Sequence, residues 1–75
     1  MNSLSEISRL LRVVVENRGI YCDKRGFLTS EGLKVVCLAI KVSGRMGEHR
    51  LKRRLEKVRR ERRVDILLEV LRELE

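Results

Sequence analysis

The residues best suited to chemistry in this 75-residue chain are one histidine (His49), two cysteines (Cys22 and Cys37) and two aspartates (Asp23 and Asp65). Their spacing points to no reaction. Zinc takes four ligands, and Cys22, Cys37 and His49 offer three at no recognised spacing. Asp23 is explained by a turn, Asp65 by a helix surface, and His49 stands among charged helix positions. The sequence holds no nucleophile–base spacing, phosphate loop or metal quartet. No enzyme, metal, cofactor or small-molecule substrate is therefore expected. The cysteines, fifteen positions apart, read as reduced buried thiols, with a disulfide as the alternative.

Charge is the more informative feature. Of 18 basic and 11 acidic residues, ten basic ones fall within residues 45–63: Arg45, Arg50, Lys52, Arg53, Arg54, Lys57, Arg59, Arg60, Arg62 and Arg63. Only three acids, Glu48, Glu56 and Glu61, share that segment, so it holds the whole net charge of +7. The rest of the chain balances at eight against eight. A surplus confined to one helical segment is the footprint of a polyanion partner, and inside a cell nucleic acid comes first, DNA ahead of RNA. The bland alternative is a solvated or ion-paired face. Glu48 with Lys52 and Glu56 with Arg60 have the i,i+4 spacing for pairing, although Arg59 and Arg63 at the same spacing repel. A membrane surface fits less well, because the basic half lacks an apolar face to insert.

These side chains need elements to hold them. A chain of this length is one domain, 1–75, and buries only about 60% of its unfolded surface. It has one Tyr, one Phe, no Trp and no Pro, so its core is aliphatic and suits packed helices. Residues 3–18 predict a helix, with a Ser3–Glu6 capping box, a stripe of Leu4, Ile7, Leu11 and Val14, and Gly19 as a left-handed stop. Residues 20–29 predict a β-hairpin turning at Asp23–Gly26 and packed through Ile20, Cys22 and Leu28. Residues 30–43 carry the apolar run Leu33–Val42. Its β-branched residues favour a strand, but Thr29 and Ser30 before it and Gly44 after it predict a buried helix.

From residue 48 to 75 nothing stops a helix. Its apolar stripe nevertheless changes sides. Leu51, Leu55 and Val58 fall on one line, and that line continues into Arg62, Asp65 and Glu69. Val64, Leu67, Leu68, Leu71 and Leu74 lie on the other face. Either the helix breaks near Arg60–Arg63, or its second half packs on another chain. With no glycine or proline to cause a break, the second option is favoured, and those five side chains are the expected homodimer interface. The arginine-rich, glutamine-free composition suits a heat-adapted protein. No secretory signal pattern opens the chain, and no apolar run reaches the length of a membrane span, which points to a cytoplasmic protein with no membrane partner.

The order of elements over residues 16–43 resembles the second half of a winged-helix DNA-binding domain, the match being "NRGIYCDKRGFLTSEGLKVV" (residues 17–36) with its "FLTSEG" step at Phe27–Gly32. Small archaeal chromatin-type winged-helix proteins add a long dimerising C-terminal helix, to which residues 48–75 are similar. The resemblance implies a recognition role for Ser5, Ser8, Arg9 and Arg12, and phosphate contacts for Lys24 and Arg25 at the wing tip. The two helices that precede the recognition helix in that family are missing here, so helix 1 as a plain packing element stays open.

The expected fold is mainly α with one short β-hairpin, ordered helix–hairpin–helix–long helix, winged-helix-like or a small helical bundle. The expected function is nucleic-acid binding, as a dimer, through phosphate contacts from Lys24, Arg25, Arg50, Lys52, Arg53, Arg54, Lys57, Arg59, Arg60 and Arg63. No Asn or Gln in the basic segment is available to read adenine, though its arginines suit guanine. An RNA groove is also open to an arginine-rich helix. The alternative is a small structural or adaptor protein that works by protein contact alone.

Overall fold

Apolar residues at helical spacing make the long helices, and local caps decide where most of them stop. A computed structural model describes residues 3–75, with side chains from Leu4 onward. Helix α1 spans Ser3–Glu16 and buries Ile7, Leu11 and Val14. It ends before residue 18: the Asn17 backbone N–H turns to the Val14 carbonyl at 3.4 Å, and Asn17 Nδ2 takes its place on the Val13 carbonyl at 2.9 Å. The chain then makes one further helical turn, α2 (Arg18–Tyr21). Gly19 sits within it and is not a left-handed stop; the glycines with positive φ are Gly26 and Gly47. The capping box rests on the Ser3 side chain, which lies outside the described ones.

The hairpin expected over 20–29 is reduced to a tight turn. The N–H groups of Ile20 and Tyr21 donate to the Asn17 carbonyl at 3.0 and 3.1 Å, and that of Cys22 to Arg18 at 2.9 Å. Helix α2 thus consumes the first strand, and the two arms meet in the single bridge Cys22–Leu28. The turn itself follows the sequence. Asp23 Oδ1 accepts from the backbone N–H of Arg25 at 2.9 Å and of Phe27 at 3.0 Å, and Gly26 takes φ +85°. The second arm finds another partner. Leu28 N donates to the Arg62 carbonyl at 2.7 Å, Val64 N donates to the Gly26 carbonyl at 3.0 Å, and Phe27 bridges Arg63. Leu28 is buried and Cys22 half-buried, but Ile20 remains 60% exposed.

Helix α3 (Ser30–Arg45) starts at Thr29, whose Oγ1 accepts from Gly32 N at 3.2 Å. Such a cap is worth about 1 kcal/mol. Burial of Val36, Ala39, Ile40 and Val42 overrides the strand preference of the β-branched residues. Gly32 permits the approach of α2: a Cβ there would run into the Tyr21 carbonyl oxygen and lie 3.1 Å from Leu28 Cδ2. The helix passes through Gly44. It stops instead at Gly47, φ +74°, where Glu48 N donates to the Ser43 carbonyl at 3.0 Å.

The unbroken helix favoured for 48–75 is overturned. Helix α4 (His49–Glu61) and helix α5 (Val64–Leu74) are separated by Arg62 in the left-handed conformation, φ 59°. That conformation costs a non-glycine residue about 1–2 kcal/mol. The two bonds from Gly26 and Leu28 hold the corner in place without glycine or proline. The break turns the second stripe inward, so Val64, Leu67, Val70 and Leu71 are buried in the same core as Leu51, Leu55 and Val58. Of the side chains expected at a dimer interface, Val64, Leu67 and Leu71 are therefore core residues of this chain. Leu68 and Leu74 pack partly buried against them. The stripe that was to meet a second copy is used within the molecule.

The result is a small helical bundle in which α1 packs on α3, α3 on α4, α4 on α5 and α5 back on α1, while α2 lies against α1 and α3. Helix α5 contributes four buried apolar side chains at roughly 1.5–3 kcal/mol each, comparable with the whole stability of a domain this small. A chain ended after Arg63 should therefore lose its cooperative thermal transition by circular dichroism. A folded truncated chain would mean that α5 is dispensable to the core.

Candidate nucleic-acid interface

Helix α4 has an inner and an outer side with opposite chemistry. Leu51, Leu55 and Val58 fix the inner side in the core. At 3.6 residues per turn this directs Arg50, Arg53, Lys57 and Arg60 outward at i, i+3, i+7 and i+10, and all four are exposed. The row extends about 15 Å along the helix, the axial rise of roughly four base steps. Arg59 is also exposed, and Lys52 is half-buried on the flank.

Few of these cations have a carboxylate within ion-pair distance. Among the described residues, ion pairs within the basic segment reach only Arg54, bound to Glu73, and Arg63, bound to Asp65. The Arg63 pair is forked, with Nε 3.1 Å from Asp65 Oδ1 and Nη2 2.6 Å from Oδ2. Arg54 and Arg63 were expected to contact phosphate, but each already has an acid partner. Arg54 ties α4 to α5, and Arg63 holds the start of α5. The helical pairs Glu48–Lys52 and Glu56–Arg60 are not among the ion pairs of the described residues.

The fold adds Lys41, which lies outside the basic segment, and gives Arg45, at its edge, a partner surface. Lys41 and Arg45, one turn apart near the end of α3, line a groove between α3 and α4 together with Lys52, Ile40 and Gly44. The i,i+4 spacing of Lys41 and Arg45 was the available signal. Their meeting with Lys52 depends on how α3 crosses α4.

Lys24 and Arg25 sit exposed on the Asp23–Gly26 turn. The Leu28–Arg62 and Gly26–Val64 backbone bonds place that turn at the end of α4, beside Arg62 and Arg63. Two groups of basic residues far apart in the chain are thereby joined at one corner of the molecule. The face of α1 formed by Ser5, Ser8, Arg9 and Arg12 lines a shallow depression, and Arg12 is engaged there by Glu75 at 2.7 Å.

The remaining reactive side chains are dispersed. His49 is exposed at the first turn of α4. Cys22 and Cys37 are free thiols. Burial pushes the Cys22 thiol above its ordinary value, with Arg18 opposing the shift and Asp23 adding to it. No helix is long and apolar enough to cross a membrane among the described residues. No family model, characterised protein or solved structure matches the chain.

Arg53, Lys57 and Arg60 repel one another at i,i+4 and i,i+3 spacing, at a cost of about 0.2–0.5 kcal/mol per pair. Replacing any one of them with glutamine should leave stability in urea unchanged or slightly raised. A clear loss would show that the residue is held by a partner within the fold.

Proposed function

We propose that the protein binds nucleic acid through the phosphate backbone, using the outer face of α4. The reading is carried by the row Arg50, Arg53, Lys57 and Arg60, exposed on one side of a rigid helix with no carboxylate in ion-pair range among the described residues. Unneutralised like charge along a helix is unfavourable for folding alone and favourable for meeting a polyanion. Lys52 with Lys41 and Arg45 widens the surface on one side. Lys24, Arg25 and Arg62 extend it around the corner at the end of the helix.

Two competing readings are less well supported. A membrane surface would need an apolar face beside the cations, and the apolar face of α4 is buried in the core. The adaptor reading relied on the C-terminal stripe as its handle, and most of that stripe is buried too.

Phosphate contacts release counterions, so affinity should fall steeply with salt. Four contacts on duplex DNA give a slope of about −3.6 in log K against log salt, or roughly a hundredfold loss from about 50 to about 200 mM. Fluorescence anisotropy with a labelled oligonucleotide measures this directly. The triple substitution Arg53→Gln, Lys57→Gln and Arg60→Gln should make the slope shallower by about 2.7, the share of three contacts. Absent binding at low salt, or binding indifferent to salt, would remove the proposal.

A further inference from the structure

We propose that the crevice between the Asp23–Gly26 turn and the start of α5 holds one unpaired nucleobase, stacked on Phe27, with Arg18 and Arg25 on the flanking phosphates. This deepens the nucleic-acid reading and rests on it.

Phe27 is the only phenylalanine in the chain. It lies outside the hydrophobic core, stays 40% exposed and lines the crevice, with Val64 and Leu68 as the apolar neighbours. Its backbone is fixed on both sides. The Phe27 N–H donates to Asp23 Oδ1 at 3.0 Å, the Phe27 carbonyl accepts from Asp23 N at 2.8 Å, and the residue bridges Arg63. The ring is thus carried on a rigid turn, and one tethered flat surface is what base stacking requires.

The charges around the ring suit a phosphate on either side of a base. Arg18 and Arg25 line the crevice, and neither has an acid partner among the described residues. Asp65 also lines it and would repel phosphate if bare. Its carboxylate is occupied by the Arg63 fork, and Oδ1 also accepts from Ile66 N at 3.0 Å. What remains around the aromatic surface is net positive. A base within a duplex keeps its face covered by its neighbours. The occupant is therefore a single-stranded stretch, an end or a bulge.

The test uses the full chain with Phe27→Trp. Titration with a single-stranded oligonucleotide should quench the tryptophan emission, saturating at the affinity that anisotropy gives. A fully paired duplex and inorganic polyphosphate should bind with little quenching. Phe27→Leu should lose roughly tenfold in affinity for the single strand while keeping its polyphosphate affinity and its melting curve. Single-strand binding by anisotropy without quenching, or equal quenching by the duplex, would overturn the stacking site and leave the phosphate surface standing. Absence of all oligonucleotide binding by the unsubstituted chain at low salt would overturn both.

Discussion

Two backbone hydrogen bonds at one corner organise this molecule. Leu28 N to the Arg62 carbonyl and Val64 N to the Gly26 carbonyl pin the loop after α2 to the junction of α4 and α5. They hold Arg62 in a conformation that arginine rarely adopts, and they stop a stretch whose local preferences are helical throughout. Without that stop, the apolar residues after position 63 would emerge on the side of α4 opposite the core. With it, α5 folds back and closes the ring of helices.

The electrostatics follow from the same corner. Because α5 covers the core from within the chain, no apolar stripe of α4 or α5 needs a second molecule. The outer side of α4 is left mainly to cations, with Glu56 and Glu61 interspersed and neither in an ion pair among the described residues. The acids from outside the basic segment that pair with it are Glu73 on Arg54, on the half-buried flank of α4, and Asp65 on Arg63, and both pairs fasten α5. Exposed pairs of this kind contribute little to stability, so the carboxylates serve mainly to fix geometry. The row from Arg50 to Arg60 keeps its charge facing solvent.

Much of this was legible in the sequence where the signal was local. The Asp23–Gly26 turn, the Thr29 cap and the stripes of α1 and α4 follow from residue type and spacing, and so does the position of the basic face. The change of stripe made a break near Arg60–Arg63 one of two options, but the choice between them was not legible, because the cause of the break lies more than thirty residues away in the backbone of Gly26 and Leu28. The same long-range bonds disguised the hairpin, since its second arm pairs with the α4–α5 junction and its first is taken into α2. Gly19 and Gly44 look like helix stops in isolation, yet neither has positive φ. The groove of Lys41, Arg45 and Lys52 was hidden because it exists only where α3 crosses α4.

The most direct measurement is a nitrogen-15 NMR titration of the full chain with a short oligonucleotide at low salt. If the outer face of α4 is the binding surface, the largest shifts fall at Arg50, Arg53, Lys57 and Arg60 and on the 23–27 turn, while Arg9 on α1 and Glu69 and Arg72 on α5 stay put. Shifts centred on α1, or no shifts at all, would contradict it.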